Sequence, residues 1–203
     1  MSTKHETWGM SFSPRFRELS HAAALRAVGD RGNPQREQHA ARRGPPKIYS
    51  DHAAEAVVMA VTALEAGINE IATWARFGFV TVTTPLPDEF MRSNVADKWN
   101  IVPNSLVGRS FDCGAAPYQD FAMLIALRDE VIHFKWQRDQ VPRFMRSLQA
   151  RDLTLPDDVP GIYWIEAALT DRVAEWAIAT MNAMFAKLTE ITGLADSPTW
   201  VWH

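Results

Sequence analysis

Between residues 57 and 75, Val57, Val61, Leu64, Ile68, Ile71 and Ala75 recur at alternating steps of four and three. A strand would alternate at every second residue. This spacing instead draws one apolar stripe along an α-helix, the kind of seam that must pack against other helices. Ser50 stands before it as an N-cap with Asp51 and Glu55 close behind, and Gly78 marks its end. A second seam runs through Ile165, Leu169, Val173, Trp176, Thr180, Met184, Leu188 and Ile191. Its period is roughly helical and predicts one long helix over about 162–192, stopped by Gly193.

Weaker elements lie around these two. Ser13 and Pro14 open a helix to about Val28, and GDRGNPQREQHAARRGPP at 29–46 reads as a linker. FVTVTTPLP at 79–87 predicts a short extended piece whose prolines exclude a central strand. A shorter helix over 87–99, a loop over 100–117 and a helix from about Pro117 to Gln137 follow. A basic helix over 141–150 and the turn-rich LPDDVPG at 155–161 lead into the last long helix. Strong helices with no convincing sheet predict an all-α, up-and-down bundle of about five helices. The expected division is a basic, partly irregular N-terminal arm over 1–47, the bundle over 48–193 and a C-terminal tail over 194–203.

Composition narrows the functional classes. No run of about 18 apolar residues is present, so no membrane span is expected. MSTKHETWGMSFSPRFRELS lacks the apolar core of a secretion signal. Cys113 is the only cysteine, which denies the chain an internal disulfide and a thiolate metal cluster and fits a cytoplasmic setting. HExxH, CxxC and Gly-rich phosphate loops are absent, and Ser110 and Ser147 have no nucleophile-elbow context. Neither metal nor cofactor is therefore expected. The net charge of −3 conceals an asymmetry. Residues 1–47 carry nine Lys/Arg against four Asp/Glu, and residues 48–203 carry twelve against twenty. A basic arm on an acidic body suits either a nucleic-acid contact or a simple solvated segment.

The segment that carries chemistry is LRDEVIHFKW, 127–136. Stepping 100° per residue, Phe121, Leu124, Ile125, Val131 and Ile132 fall within about 60° of Arg128, so the arginine sits amid the apolar arc. A guanidinium there needs a carboxylate or phosphate, or else its stem packs while its head reaches the rim; Glu65 is one available carboxylate. His133 lies about 140° away, on the polar side, with Asp129 four residues before it. That carboxylate could orient the imidazole and favour proton transfer near neutral pH, or the histidine could be one half of a surface ion pair. Because the two side chains diverge, a joint site fits better across a two-fold dimer interface. Glu65 and Asn69 on the first seam helix, and Lys135 and Arg138 beyond the motif, are candidate supporting or substrate-contacting groups. The basic run Arg138, Arg143, Arg146 and Arg151 could guide an RNA backbone or form a solvated face.

At these residues the chain resembles the HEPN superfamily (higher eukaryotes and prokaryotes nucleotide-binding domains), all-α bundles marked by an Arg, a polar residue and then a His. Arg128, Asp129 and His133 stand in those places, with Asp where Asn is commoner. TALEAGINEIA at 62–72, DKW at 97–99 and PYQDF at 117–121 resemble one bacterial branch, and the resemblance covers about residues 50–190. It implies a metal-independent endoribonuclease of toxin–antitoxin or defence systems, acting as a homodimer on RNA, with an antitoxin protein among its partners. It also implies the roles: His133 moves a proton as a ribose 2′-OH attacks its own phosphate, Arg128 stabilises the phosphate charge, and Asp129 orients the His or shapes the site. The family equally contains members that do not cleave and serve as dimerisation, nucleotide- or partner-binding modules.

Overall fold

The two apolar seams become the two longest helices of the protein. The computed structural model describes residues 13–29, 51–133, 141–155 and 163–194. Seven α-helices build an all-α bundle, and no strand occurs among the described residues. They are α1 (Ser13–Gly29), α2 (Asp51–Arg76), α3 (Val95–Val107), α4 (Tyr118–Ile132), α5 (Phe144–Gln149), α6 (Trp164–Ala168) and α7 (Asp171–Thr192). A 3₁₀ turn over Asp88–Arg92 precedes α3.

Helix α2 is the central element: α1, α3, α4 and α7 all pack on it. Every residue of its predicted seam is buried, as required if the stripe is to leave water. By length and composition α2 would also suffice to cross a membrane, which corrects the expectation that no segment could. In this protein its apolar window is mostly buried inside the bundle. The core beside it is aromatic. Trp99 meets Phe111, Phe121 and Phe185 edge-on, with ring centroids 5.8, 5.7 and 5.4 Å apart, the geometry that ring quadrupoles favour.

The basic N-terminal segment contributes a helix to this core. Ala23, Ala24 and Ala27 of α1 are buried, and such small side chains let two helix backbones come close. Ser20 Oγ donates to the Ala56 carbonyl at 3.1 Å, and Arg26 pairs with Glu55 at 2.8 Å. The expected division at residue 47 and the Ser50 cap lie outside the described residues, as does nearly all of the C-terminal tail.

Three local expectations are corrected. The first is the single helix over 162–192, which is broken at Leu169–Thr170; the expected all-α bundle of about five helices is present, with seven among the described residues. Thr170 caps α7 by accepting the Val173 N–H at 3.1 Å, and its hydroxyl donates to the Leu153 carbonyl at 2.5 Å. A threonine that bonds the backbone in this way competes with helix continuation. The second correction is α3, which occupies much of a segment read as loop. Val95, Trp99, Val102 and Leu106 form a buried stripe strong enough to tolerate Pro103 inside the helix, where it removes one backbone donor. Asn94 caps the start by accepting the Asp97 N–H at 2.8 Å, and Gly108 ends it with φ 68.

Residues 79–87 pair with no strand; Thr83 and Thr84 donate backbone N–H groups to the Ser105 carbonyl at 2.8 and 3.1 Å. Third, the helix that carries the motif starts where expected but stops at Ile132 rather than Gln137. Gly193 does end α7, with φ 65. The end of α2 is also closed by a glycine: Gly78 at φ 74 lets Phe79 N–H reach the Trp74 carbonyl at 2.9 Å.

Candidate functional site

Helix α4 buries Tyr118, Phe121, Leu124 and Leu127. Its apolar stripe then rises out of the core, with Val131 half-buried and Ile132 exposed. Arg128 sits where the stripe emerges, one turn beyond Leu124, and its side chain is only 21% exposed. The carboxylate it finds is its neighbour's: Asp129 Oδ1 lies 2.9 Å from Arg128 Nε. Nε is nonetheless buried without an aligned hydrogen-bond acceptor among the described residues. Both observations hold together because side chains at i and i+1 of a helix do not face each other. The two charges are close while the N–H points elsewhere, so the contact offsets the arginine's charge without using this donor.

His133 is the C-cap of α4, at φ −108 and ψ 25, and its backbone N–H donates to the Asp129 carbonyl at 2.9 Å. The residue is exposed. Asp129 thus touches both motif partners in different ways, through its carboxylate to Arg128 and through its carbonyl to the backbone of His133. Among the described residues no ion pair joins the Asp129 carboxylate to the imidazole.

The supporting residues divide. Glu65 faces Lys98 Nζ at 3.6 Å rather than Arg128, with the Lys98 side chain 4% and the Glu65 side chain 39% exposed. The Phe90 ring lies 5.7 Å from the same ammonium. Asn69 has a buried side-chain oxygen without a donor among the described residues, while its carbonyl accepts from Thr73 Oγ1 at 2.8 Å. No bond among the described residues links Glu65 or Asn69 to Arg128. Lys135 and Arg138 lie outside the described residues. In the rest of the basic run, Arg151 is held by Asp120 at 2.5 Å, whereas Arg143 and Arg146 are exposed. Among the described residues no group of three His, Cys, Asp or Glu is placed to hold a metal ion.

No family model, curated protein or solved structure matches the chain.

Three polar features escaped the sequence reading. Lys98 carried a usable signal, since it stands three residues after Val95 and four before Val102, on the face that α3 buries. Arg17 of α1 lays its guanidinium 3.6 Å from the Phe185 ring centre, and burial lowers its pKa. Its position on a helix with little apolar patterning gave no hint of this. Tyr118 accepts from Asn100 Nδ2 at 2.8 Å and donates to the Ala96 carbonyl at 3.1 Å. Burial, with Cys113 close by, pushes its hydroxyl pKa above the usual value. These contacts join α3 to the start of α4 and fix the helix that carries the motif.

Proposed function

We propose that this chain is a metal-independent endoribonuclease working as a homodimer, with Arg128 and His133 as its catalytic residues. One observation carries the reading. An arginine four-fifths enclosed keeps a buried Nε–H uncommitted, and an exposed histidine caps the same helix five residues on. A guanidinium whose side chain is one-fifth exposed can meet a phosphate oxygen at its open edge, and an accessible imidazole can exchange protons with a ribose.

In the reaction the ribose 2′-oxygen attacks the adjacent phosphorus while its proton passes to a base. The P–O5′ bond breaks, and the departing oxygen takes a proton to become a 5′-OH, leaving a 2′,3′-cyclic phosphate. His133 supplies one of these proton transfers, and Arg128 stabilises the negative charge that grows on the phosphoryl oxygens. Asp129 holds Arg128 by charge from outside the path of the phosphate. Since the histidine stands free of the arginine's pocket, the reading places His133 of one protomer against Arg128 of its partner.

RNA incubated with the purified chain in excess chelator tests this. Wild type should yield cyclic-phosphate ends, and His133→Ala should slow cleavage by about 10²–10⁴. Cleavage unchanged by that substitution would overturn the assignment. A second reading, a non-catalytic binding module with an antitoxin-type or other protein partner, is favoured by the Arg128–Asp129 contact itself. It predicts that Arg128→Ala alters association or melting while no RNA is cut.

A further inference from the structure

Most arginines of the described residues are already engaged. Arg17 lies on Phe185, Arg26 pairs with Glu55, and Arg76 donates to the Pro87 carbonyl. Arg128 contacts Asp129, Arg151 pairs with Asp120 and Arg172 pairs with Asp152. Arg15, Arg92 and Arg109 are exposed and stand singly, with no partner among the described residues, whereas helix α5 carries two such arginines. Arg143, its N-cap, and Arg146 are exposed one turn apart, and their side chains bond to no described residue. The opposite face of α5 buries Met145 and Leu148. Its chain continuation is clamped: Arg151 reaches Asp120 on α4, Asp152 pairs with Arg172 on α7, and the Leu153 carbonyl accepts from Thr170. These two arginines therefore stand on a fixed platform.

The local charge is as telling as the geometry. Over residues 141–151 the chain carries Arg143, Arg146 and Arg151 and no Asp or Glu, in a body where acids outnumber bases twenty to twelve over 48–203. A platform of one sign on a surface of the other attracts a polyanion and orients it. Met145 and Leu148 of α5 join the same buried core as Phe121, Leu124 and Leu127 of α4, and Arg151, just beyond α5, meets Asp120 at the start of α4.

We propose that Arg143 and Arg146 form a phosphate-backbone contact for single-stranded RNA, holding the strand that His133 and Arg128 act on. The proposal rests on the ribonuclease reading for its substrate. Both residues are positioning groups, and neither touches the reacting atoms. A guanidinium on a packed helix contacts phosphate without reading bases, so the contact adds affinity and no sequence preference.

The test is fluorescence anisotropy of a labelled uridine homopolymer over a salt series. It uses the full chain carrying His133→Ala so that the probe survives. Losing two phosphate contacts should flatten the slope of log K against log salt by about 1.4 in Arg143→Ala/Arg146→Ala, which is about 25-fold weaker binding at ~0.1 M salt. Arg109→Ala removes another exposed arginine that has no partner among the described residues and should leave the slope in place. A double variant that binds with the slope and affinity of Arg109→Ala overturns the proposal while leaving the ribonuclease reading intact. Polyglutamate binding that depends on both arginines, with RNA binding untouched, overturns it in favour of an acidic protein partner. RNA binding that follows the predicted slopes while wild type cuts nothing would sustain the contact and overturn the nuclease reading.

Discussion

The Glu65–Lys98 pair offers the sharpest test of which polar residues belong to a site and which to the core. Lys98 Nζ is almost fully enclosed, and the Glu65 carboxylate, itself partly in water, is its one charge partner among the described residues, at 3.6 Å. At an effective dielectric near 20, that separation corresponds to about 4–5 kcal/mol of attraction before desolvation of the ammonium is subtracted. Removing one partner of a fully buried pair costs about 3–5 kcal/mol, because the other charge stays buried and uncompensated. Water that already reaches Glu65 would relax part of that penalty, so Glu65→Ala should cost about 2 kcal/mol. For a chain near this size, each kcal/mol shifts Tm by about 2–4 °C, giving a drop of about 4–8 °C.

Lys98→Met should behave differently. It removes the charge that needed Glu65, keeps the unbranched stem among Phe90 and Trp99, and leaves the carboxylate free to hydrate. Its cost should stay within about 1 kcal/mol. Adding Glu65→Ala to Lys98→Met should then change little, so the two substitutions couple strongly. Thermal melts followed by circular dichroism measure all three variants. A Lys98→Met protein that melts as low as Glu65→Ala would refute the account. A Glu65→Ala protein with unchanged Tm and lost RNA cleavage would move Glu65 from the core into the catalytic site.

Other consequences follow from the same packing. Trp99→Ala empties the centre of the aromatic cluster and should cost about 3–5 kcal/mol, read as a fall in the denaturant midpoint. Thr170→Ala loses both the α7 cap and the tie to Leu153, and should cost about 1–2 kcal/mol in the same assay. The Arg26 hydrogen bond holds Glu55 below its ordinary pKa. The folded-state value is depressed, so this stabilisation is present above the unfolded carboxylate pKa and disappears as pH falls through the folded one. The pair is exposed, so it contributes at most about 1 kcal/mol. The Tm difference between wild type and Glu55→Gln should therefore narrow in acid, and a gap that widens there would contradict the pairing.

Long helices were legible because burial imposes a period. Every seam residue of α2 is buried, and Gly193 stops α7 as its position implied. What escaped were places where one side chain outweighs a pattern. The α7 seam continues in register through Leu169, yet the Thr170 hydroxyl breaks the helix at that residue because its bonds to Val173 and Leu153 are tertiary and local at once. Pro103 pointed to a loop, and the stripe Val95, Trp99, Val102 and Leu106 overrode it. Single-residue signals mislead in proportion to how much packing stands behind their neighbours.

The same contrast limits what the motif spacing could tell. The angle between Arg128 and His133 follows from a helical wheel only if both residues are helical. Arg128 is, and its side chain, 21% exposed, agrees with its place beside the buried stripe on the wheel. His133 is the boundary: its N–H still bonds to the Asp129 carbonyl, but at φ −108 its side chain is turned away from the wheel position. The step that separates them is Asp129, whose carbonyl fixes the last turn and whose carboxylate offsets the arginine's charge. Substituting Asp129 by Asn keeps the carbonyl and removes only the charge. If Arg128 serves a phosphate, Asp129→Asn should remove a negative charge that repels it and tighten RNA binding in the His133→Ala background. If the arginine is instead a structural cation, the same change should lower Tm and leave RNA binding unmoved.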